Sequence, residues 1–561
     1  MGNVYWSCNL NNIHDIHNEK KETIVINFFS NQTKTITGAA IILGAASFIS
    51  RLIGIIRDRI FAHMFGAGAE LDVYYAAFRI PDLVYNLVIV GAISAGFIPV
   101  FTKLLSKNKK EAWLITNGII NLLGIIIIAL TLILYYFAPQ IISILVPGFT
   151  DAQLANTIML TRIMFLSPLI LGLSSIVSGV LQSFKCFLIY ALTPILYNFG
   201  IIIGAIYLVP HYGLKGLAYG VVIGALLHLV IQLPSFFKYG FKYEFVLPFQ
   251  NKNLREIIGT MLPRTLGLAT TQLNLVAITI LASTIGTGSV AIFNLANNIQ
   301  HFPIGIIGIS FAIAAFPTLS ELAGQNKIDK LIENLTHTIR QIIFFIIPLT
   351  IIFLLLRAQI VRVLLGSGNF TWSDTIITSN TLAFFTLSLA AQSLIPLFIR
   401  AFFALKDTWT PFLIGIISSL INIIFGIYLK EKLGISGLAL AFSFSMTVQV
   451  AFLWFLLRQK IGSFNESNML YSLNKISVAA IIMAIFIQLI KTPLAYMVDM
   501  TKLWGIMTQG MVAGISGLII YSIICKLLNL EEMNQFQASL KHKFIKLGNV
   551  TRGEITEADE I

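Results

Sequence analysis

Arg51, Arg57, Asp58 and Arg59 fall inside one apolar stretch, SRLIGIIRDRIFAHMFGAG, residues 50–68. A charge held in hydrocarbon costs several kcal/mol, so a chain keeps one there only for pairing or for a task. At about 100° per residue, Arg51, Ile55 and Asp58 share one helix face and Arg57 lies on the neighbouring one. A second polar stripe follows, with Asp72, Tyr75, Arg79, Asp82 and Asn86 at i, i+3, i+7, i+10 and i+14. Pro81 interrupts it and is expected to kink the helix. Arg264 stands directly after Pro263 in MLPRTLG, and Asn294, Asn297, Asn298, Gln300 and His301 cluster before Phe302-Pro303. Four cations (Arg51, Arg57, Arg79, Arg264) face three carboxylates (Asp58, Asp72, Asp82). Guanidinium forks match phosphate and carboxylate oxygens two bonds at a time, so this surplus suits an anion, best a diphosphate or a carboxylate. The competing reading is that the arginines only pair with the aspartates and pin helices together. Arg59 and His63 are expected to snorkel to an interface, and His301 to be a satisfied interior histidine.

The elements that carry these residues are membrane helices. Of 561 residues, 57% are hydrophobic and 11% charged, against about 25% charged in a soluble globular chain. Apolar runs of about 20 residues recur, each long enough to cross roughly 30 Å of hydrocarbon. Their lengths indicate helices and not the alternation of an outer-membrane barrel. Fourteen windows can be placed, from 37–60 and 73–104 through 256–284 and 288–318 to 474–497 and 503–525. The expected fold is an all-α polytopic membrane protein with about 14 transmembrane helices.

The net charge of +13 lies in loops and tails, where it sets topology, so nucleic acid is not an expected partner. With the N-terminus inside, the cytoplasmic loops hold most of the lysines and arginines, which argues for both termini in the cytoplasm. Three scattered cysteines, Cys8, Cys186 and Cys525, give neither a disulfide framework nor metal-ligand spacing. No Walker loop is visible, and no acid/base pair or metal cluster suggests an enzyme. No cofactor is expected; the membrane potential or a coupling ion would supply the energy. Residues 1–36 read as a polar tail without a signal peptide, and 526–561 as a solvated cytoplasmic tail.

The chain also repeats itself. TPILYNFGIIIGAIYLVPHYGLKGLAYG at 193–220 is similar to TPFLIGIISSLINIIFGIYLKEKLGISGLALA at 410–441, pairing Thr193-Pro194 with Thr410-Pro411 and Gly213, Gly216 with Gly434, Gly437. GAG at 66–68 faces GTG at 286–288, and FIP at 97–99 faces AFP at 315–317. The offset stays between 217 and 221 residues. An even number of spans separates the copies, so they are parallel repeats, as in alternating-access transporters built around a central path. The expected organisation is an N-lobe at 37–236 (helices 1–6), a C-lobe at 237–457 (helices 7–12) and two extra C-terminal helices at 458–525.

SFISRLIGIIRDRIFAHMFGAGAELDVYYAAFRIPDLVYNL, GAISAGFIPVF, MLPRTLGLATTQLNLVAITILAS and NNIQHFPIGIIGISFAIAAFPTLSE together resemble the MurJ (MviN) family, over about residues 37–525. The resemblance implies a fourteen-helix flippase of the multidrug/oligosaccharidyl-lipid/polysaccharide exporter superfamily, in the bacterial cytoplasmic membrane. It implies transport of lipid II, the undecaprenyl-diphosphate-linked peptidoglycan precursor, from inner to outer leaflet. Membrane lipids and other cell-wall synthesis proteins would be its partners.

Residue by residue, the resemblance matches Arg51 to the first-helix S-R-x-x-G arginine and Arg57 and Asp58 to its R-D pair. Asp72 matches the aspartate that opens the second helix, Arg79 its basic residue before Pro, and Arg264 an arginine of part of the family. This chain departs where many members carry a double arginine and a glutamate, here Tyr85, Asn86 and Val90, and where many carry an eighth-helix arginine, here Asn298. Those departures keep open a flippase for another polyprenyl-diphosphate-linked glycan. A drug exporter of the same superfamily would favour an acidic cavity instead.

Overall fold

The computed structural model describes residues 36–90, 96–247 and 251–538, with side chains outside the description at 36–41, 88–90, 260–264 and 266–268. Every described element is helical. The first compact unit comprises Met1–Phe61 and Gly68–Thr287, the second Ala62–Ala67 and Gly288–Ile561.

In the first unit α1 is Ile36–Phe65 and α2 is Ala69–Val84, which runs into a π-helical turn, Tyr85–Val90. Then come α3 (Ile98–Lys107), α4 (Lys109–Tyr136), α5 (Ala138–Leu145), α6 (Asp151–Met164), α7 (Leu166–Ser183) and α8 (Phe187–Ile203). A second π turn, Gly204–Leu208, leads into α9 (Val209–Tyr212), followed by α10 (Lys215–Val230), α11 (Leu233–Lys238) and α12 (Lys252–Ser283). Helix α12 packs on α2, α4, α5 and the Tyr85–Val90 turn. That packing is why the compact units divide at Thr287/Gly288, whereas the repeat pattern alone places the division at 236/237.

The second unit opens with α13 (Ser289–Pro303), a π turn at Ile304–Ile309, and α14 (Ser310–Gly324). It continues through α15 (Ile328–Leu355), α16 (Arg357–Leu365), α17 (Trp372–Thr386), α18 (Leu389–Ala404), α19 (Trp409–Leu433), α20 (Ile435–Ile461), α21 (Glu466–Met497) and α22 (Leu503–Leu527). Residues 62–67 belong here because Asn369 binds them: its backbone N–H donates to His63 O (3.0 Å) and its Nδ2 to Met64 O (2.7 Å).

Among the described residues ten helical spans, some of them joining two of these helices, are long and apolar enough to cross a membrane, and the pair α17 and α18, bent by 47°, would make eleven. The expected fourteen is not reached by length and composition among the described residues. The remaining windows do hold helices, α1, α2 and α12, and these are the ones that carry the charges singled out above. Apolar side chains such as Leu132, Ile144 and Leu489 are left exposed by the protein, as expected of helices that use lipid as solvent.

The backbone records the repeat more faithfully than the side chains do. Capping boxes open α6 (Thr150 with Gln153) and α17 (Thr371 with Asp374), 221 residues apart. Lys185 (φ 62°) and Lys406 (φ 61°) are both left-handed, and Gly213 and Gly434 share φ/ψ near 58°/−146° and 57°/−138°. Lys185 to Gly213 and Lys406 to Gly434 are the same 28 residues. This corrects the Thr-Pro pairing. Thr193 comes eight residues after Lys185, Thr410 four after Lys406, so the two dipeptides lie one helical turn out of register. The π turns at 85–90 and 304–309 also recur, at an offset of 219.

The chain beyond α22 folds back onto the second unit. Leu530 and Met533 are buried. Glu532, 5% exposed, accepts hydrogen bonds from Arg340 Nε (2.6 Å) on α15 and Ser472 Oγ (2.7 Å) on α21. Burial would raise its carboxyl, but the bonds from Arg340 and Ser472 outweigh that and hold it below the ordinary carboxylate range. A depressed folded pKa contributes stability above the ordinary value, about 4.3, and loses it as the pH falls through the folded value. Hydrogen exchange of 531–538, corrected for intrinsic rate, is therefore expected to stay slow at neutral pH and to rise under acid. Glu532→Gln should flatten that response; identical pH profiles for variant and wild type would remove Glu532 as the clasp.

Candidate functional site

Helix α1 reaches its charged stretch with Arg51 partly buried and Asp58 buried. Arg57 and Asp58 point to neighbouring faces, yet the long arginine side chain folds across to its neighbour. Its Nε and Nη2 donate to Asp58 Oδ1 at 3.0 and 2.7 Å, and its Nη1 donates to Asn198 Oδ1 on α8 at 2.9 Å. Asn198 is itself fixed by donating to Pro194 O (3.0 Å). Arg57 also lies 5.9 Å from the centroid of Phe61. Phe61 meets Tyr74 edge-on at 5.0 Å, and Tyr74 meets Tyr75 at 5.4 Å. The Tyr75 hydroxyl is buried with no hydrogen-bond partner. Three of the five Arg57 N–H groups are taken, which leaves two donors beside an unsatisfied hydroxyl. The arrangement can hold an anion without giving up the Asp58 pair.

The stripe on α2 is real, but it serves several partners. Asp72 is fully buried at the helix start. Arg79, 9% exposed, donates through Nε to Thr279 Oγ1 on α12 at 3.1 Å. Asp82 accepts from Asn86 Nδ2 at 2.9 Å. Pro81 does not break the helix, which stays α-helical through Val84 and only then widens into its π turn. Proline lacks the N–H that Ala77 O would have accepted. The Thr161 hydroxyl on α6 lies 3.3 Å from that carbonyl, sharing its donor with Thr157 O.

Arg264 lies on α12, but its side chain, like that of Val90, is outside the described residues. Asn298 lies partly buried on α13, in the second unit. Its neighbours there are structural: Asn297 Oδ1 accepts from Gln300 Nε2 (3.0 Å), and Gln300 Oε1 accepts from Gln392 Nε2 on α18 (2.9 Å). His301, expected in the interior, is left exposed by the chain.

Sequence reasoning found the charges of the first unit and missed their neutral partners, Asn198, Thr279 and Tyr74. Asn198 had a signal, since it is a lone amide in the apolar run TPILYNFGIII. Thr279 had none, because a threonine in a membrane helix ordinarily donates to the carbonyl four residues earlier, as this one does to Leu275 O.

A family model described as "Lipid II flippase MurJ" matches residues 61–507. The chain belongs to the lipid II flippase MurJ family. A probable lipid II flippase MurJ of Thermotoga maritima is 28% identical over 489 residues, covering 87% of this chain and 96% of the relative. One from Buchnera aphidicola subsp. Schizaphis graminum is 29% identical over 455 residues, covering 79% and 88%. Among solved structures, a lipid II flippase MurJ in an inward closed conformation superposes with a TM-score of 0.74 at 28% identity, over 87% of this chain and 99% of that one. An inward-facing multidrug resistance MATE transporter of the MOP superfamily aligns with a TM-score of 0.62 at 17% identity, over 74% and 96%. That likeness is one of fold alone.

Proposed function

We propose that this protein is a transporter that flips lipid II from the inner to the outer leaflet of the bacterial cytoplasmic membrane. The observation that carries the reading is the family match over residues 61–507. The Arg57–Asp58–Asn198 cluster supports it, because a membrane helix keeps a half-buried guanidinium with two unspent donors where an anionic group must be gripped. Arg51, Asp72, Arg79, Arg264 and Asn298 are assigned to the same task, with the diphosphate as the group held. The prenyl chain stays in lipid while the headgroup passes through a cationic path as the protein alternates between inward and outward states. The membrane potential, worth about 2.3 kcal/mol per charge moved through 100 mV, or an ion drives the cycle. The excess of lysine and arginine in alternate loops supports a topology with both termini in the cytoplasm. Other cell-wall synthesis proteins are its natural neighbours.

The test is complementation of a bacterium whose own lipid II flippase can be shut off, with outer-leaflet lipid II read directly. Rescue by the wild type is expected. Absence of rescue, with the protein shown to be in the membrane, would move the assignment to another polyprenyl-diphosphate-linked glycan.

A further inference from the structure

Helix α15 ends at Leu355, and two cations converge on its last carbonyls. Arg357 Nη1 donates to Leu354 O at 3.0 Å, and Lys491 Nζ, from α21, donates to Leu355 O at 3.3 Å. Neither forms an ion pair with a described carboxylate. A helix C-terminus supplies about half a negative charge, so two full positive charges on adjacent carbonyls leave a surplus. The position is built and not frayed. Gln509, 3% exposed on α22, donates to Lys491 O at 2.7 Å and accepts from Gln359 Nε2 of α16 at 2.9 Å. Backbone and side-chain bonds thus tie together the four helices around the pair.

We infer that Arg357 and Lys491 together hold the phosphate of an anionic phospholipid headgroup. Two like charges brought side by side repel, and an anion between them removes the repulsion and meets their remaining donors. The location selects a lipid as its source. Helix α15 is long and apolar enough to cross a membrane, so its end at Leu355 belongs at about the level of the headgroups. The flanking helices α21 and α22 leave Leu489, Trp504 and Met511 exposed, as acyl chains would require. The inference concerns the second unit alone and does not rest on what the protein transports.

The test titrates delipidated full-length protein with dioleoylphosphatidylglycerol in detergent and counts retained lipids by native mass spectrometry. Each of Arg357→Gln and Lys491→Gln should weaken the tightest-held lipid about fivefold, and the double variant roughly thirtyfold. Lys491→Arg, which keeps the charge, should retain it, and dioleoylphosphatidylcholine should not replace it. Millimolar inorganic phosphate should leave the lipid in place. An unchanged lipid count and affinity in folded single variants would overturn the site, and displacement by inorganic phosphate would overturn its assignment to a lipid.

Discussion

Arg57→Ala is expected to abolish flipping, leaving outer-leaflet lipid II at background while the protein is still made and inserted. Two causes would contribute, and the geometry lets them be separated. The variant loses the two donors proposed to grip the diphosphate, and it also removes the Arg57 partner of Asp58, whose side chain is 7% exposed. Removing one partner of a buried pair costs about 3–5 kcal/mol, whereas replacing both with apolar groups is often nearly neutral. Arg57 is 20% exposed at its side chain, so the cost here falls short of that range. Arg57→Lys keeps a charge but loses the fork that spans Asp58 and Asn198; its flipping should drop at least about tenfold with little change in melting temperature. The pair Arg57→Met with Asp58→Leu should restore stability and stay inactive. Lipid II flipped by that double variant would show that Arg57 only pins helices.

Gly220→Val is expected to prevent recovery of folded protein, or to lower its melting temperature by many degrees. Helix α8 and the π turn that follows it touch α10 backbone to backbone through Gly200, Gly204, Gly220 and Gly224. A β-carbon on Gly220 would lie 2.7 Å from Gly204 Cα and 3.2 Å from the carbonyl oxygens of Gly200 and Ile201. Those atoms cannot swing aside, so the helices must separate. In a membrane such small-residue seams carry association, since lipid is as apolar as the side chains it replaces. Overpacking commonly costs about 1–3 kcal/mol, and here the whole seam is lost with it. Gly124→Ala, on α4 with nothing within 4 Å of the added carbon, should be neutral or slightly stabilising by helix propensity alone, about 0.5–1 kcal/mol. Equal behaviour of the two variants in a fluorescence-detected thermal melt would refute the seam.

What was legible in the sequence was whatever composition and period dictate. Lipid as solvent, helices in every predicted window, the polar stripe on α2 and the Arg57–Asp58 dipeptide all follow from residue types at short spacing. The repeat was legible as an offset, but its register was not. Thr-Pro dipeptides are conspicuous letters and drew the alignment one turn aside, while the true markers, left-handed lysines and capping boxes, are conformations that several residue types can adopt. Neutral partners such as Asn198 and Thr279 come from distant helices, so no local pattern could name them. Pro81 looked like a kink, yet Thr161 supplies a donor that only the packing of α6 on α2 brings within reach.

The π turn after α13 has a consequence for how side chains beyond it are aimed. Each such turn carries about one residue more than an α-helical turn, so it advances the angular phase of the helix that follows by roughly 100°. Ile304–Ile309 runs directly from α13 into α14. Ser289 through Pro303 and the residues from Ser310 onward therefore cannot be drawn on one helical wheel. A one-residue deletion within Ile304–Ile309 would rotate α14 instead of shortening it, turning a buried side chain such as Leu319 out of its packing.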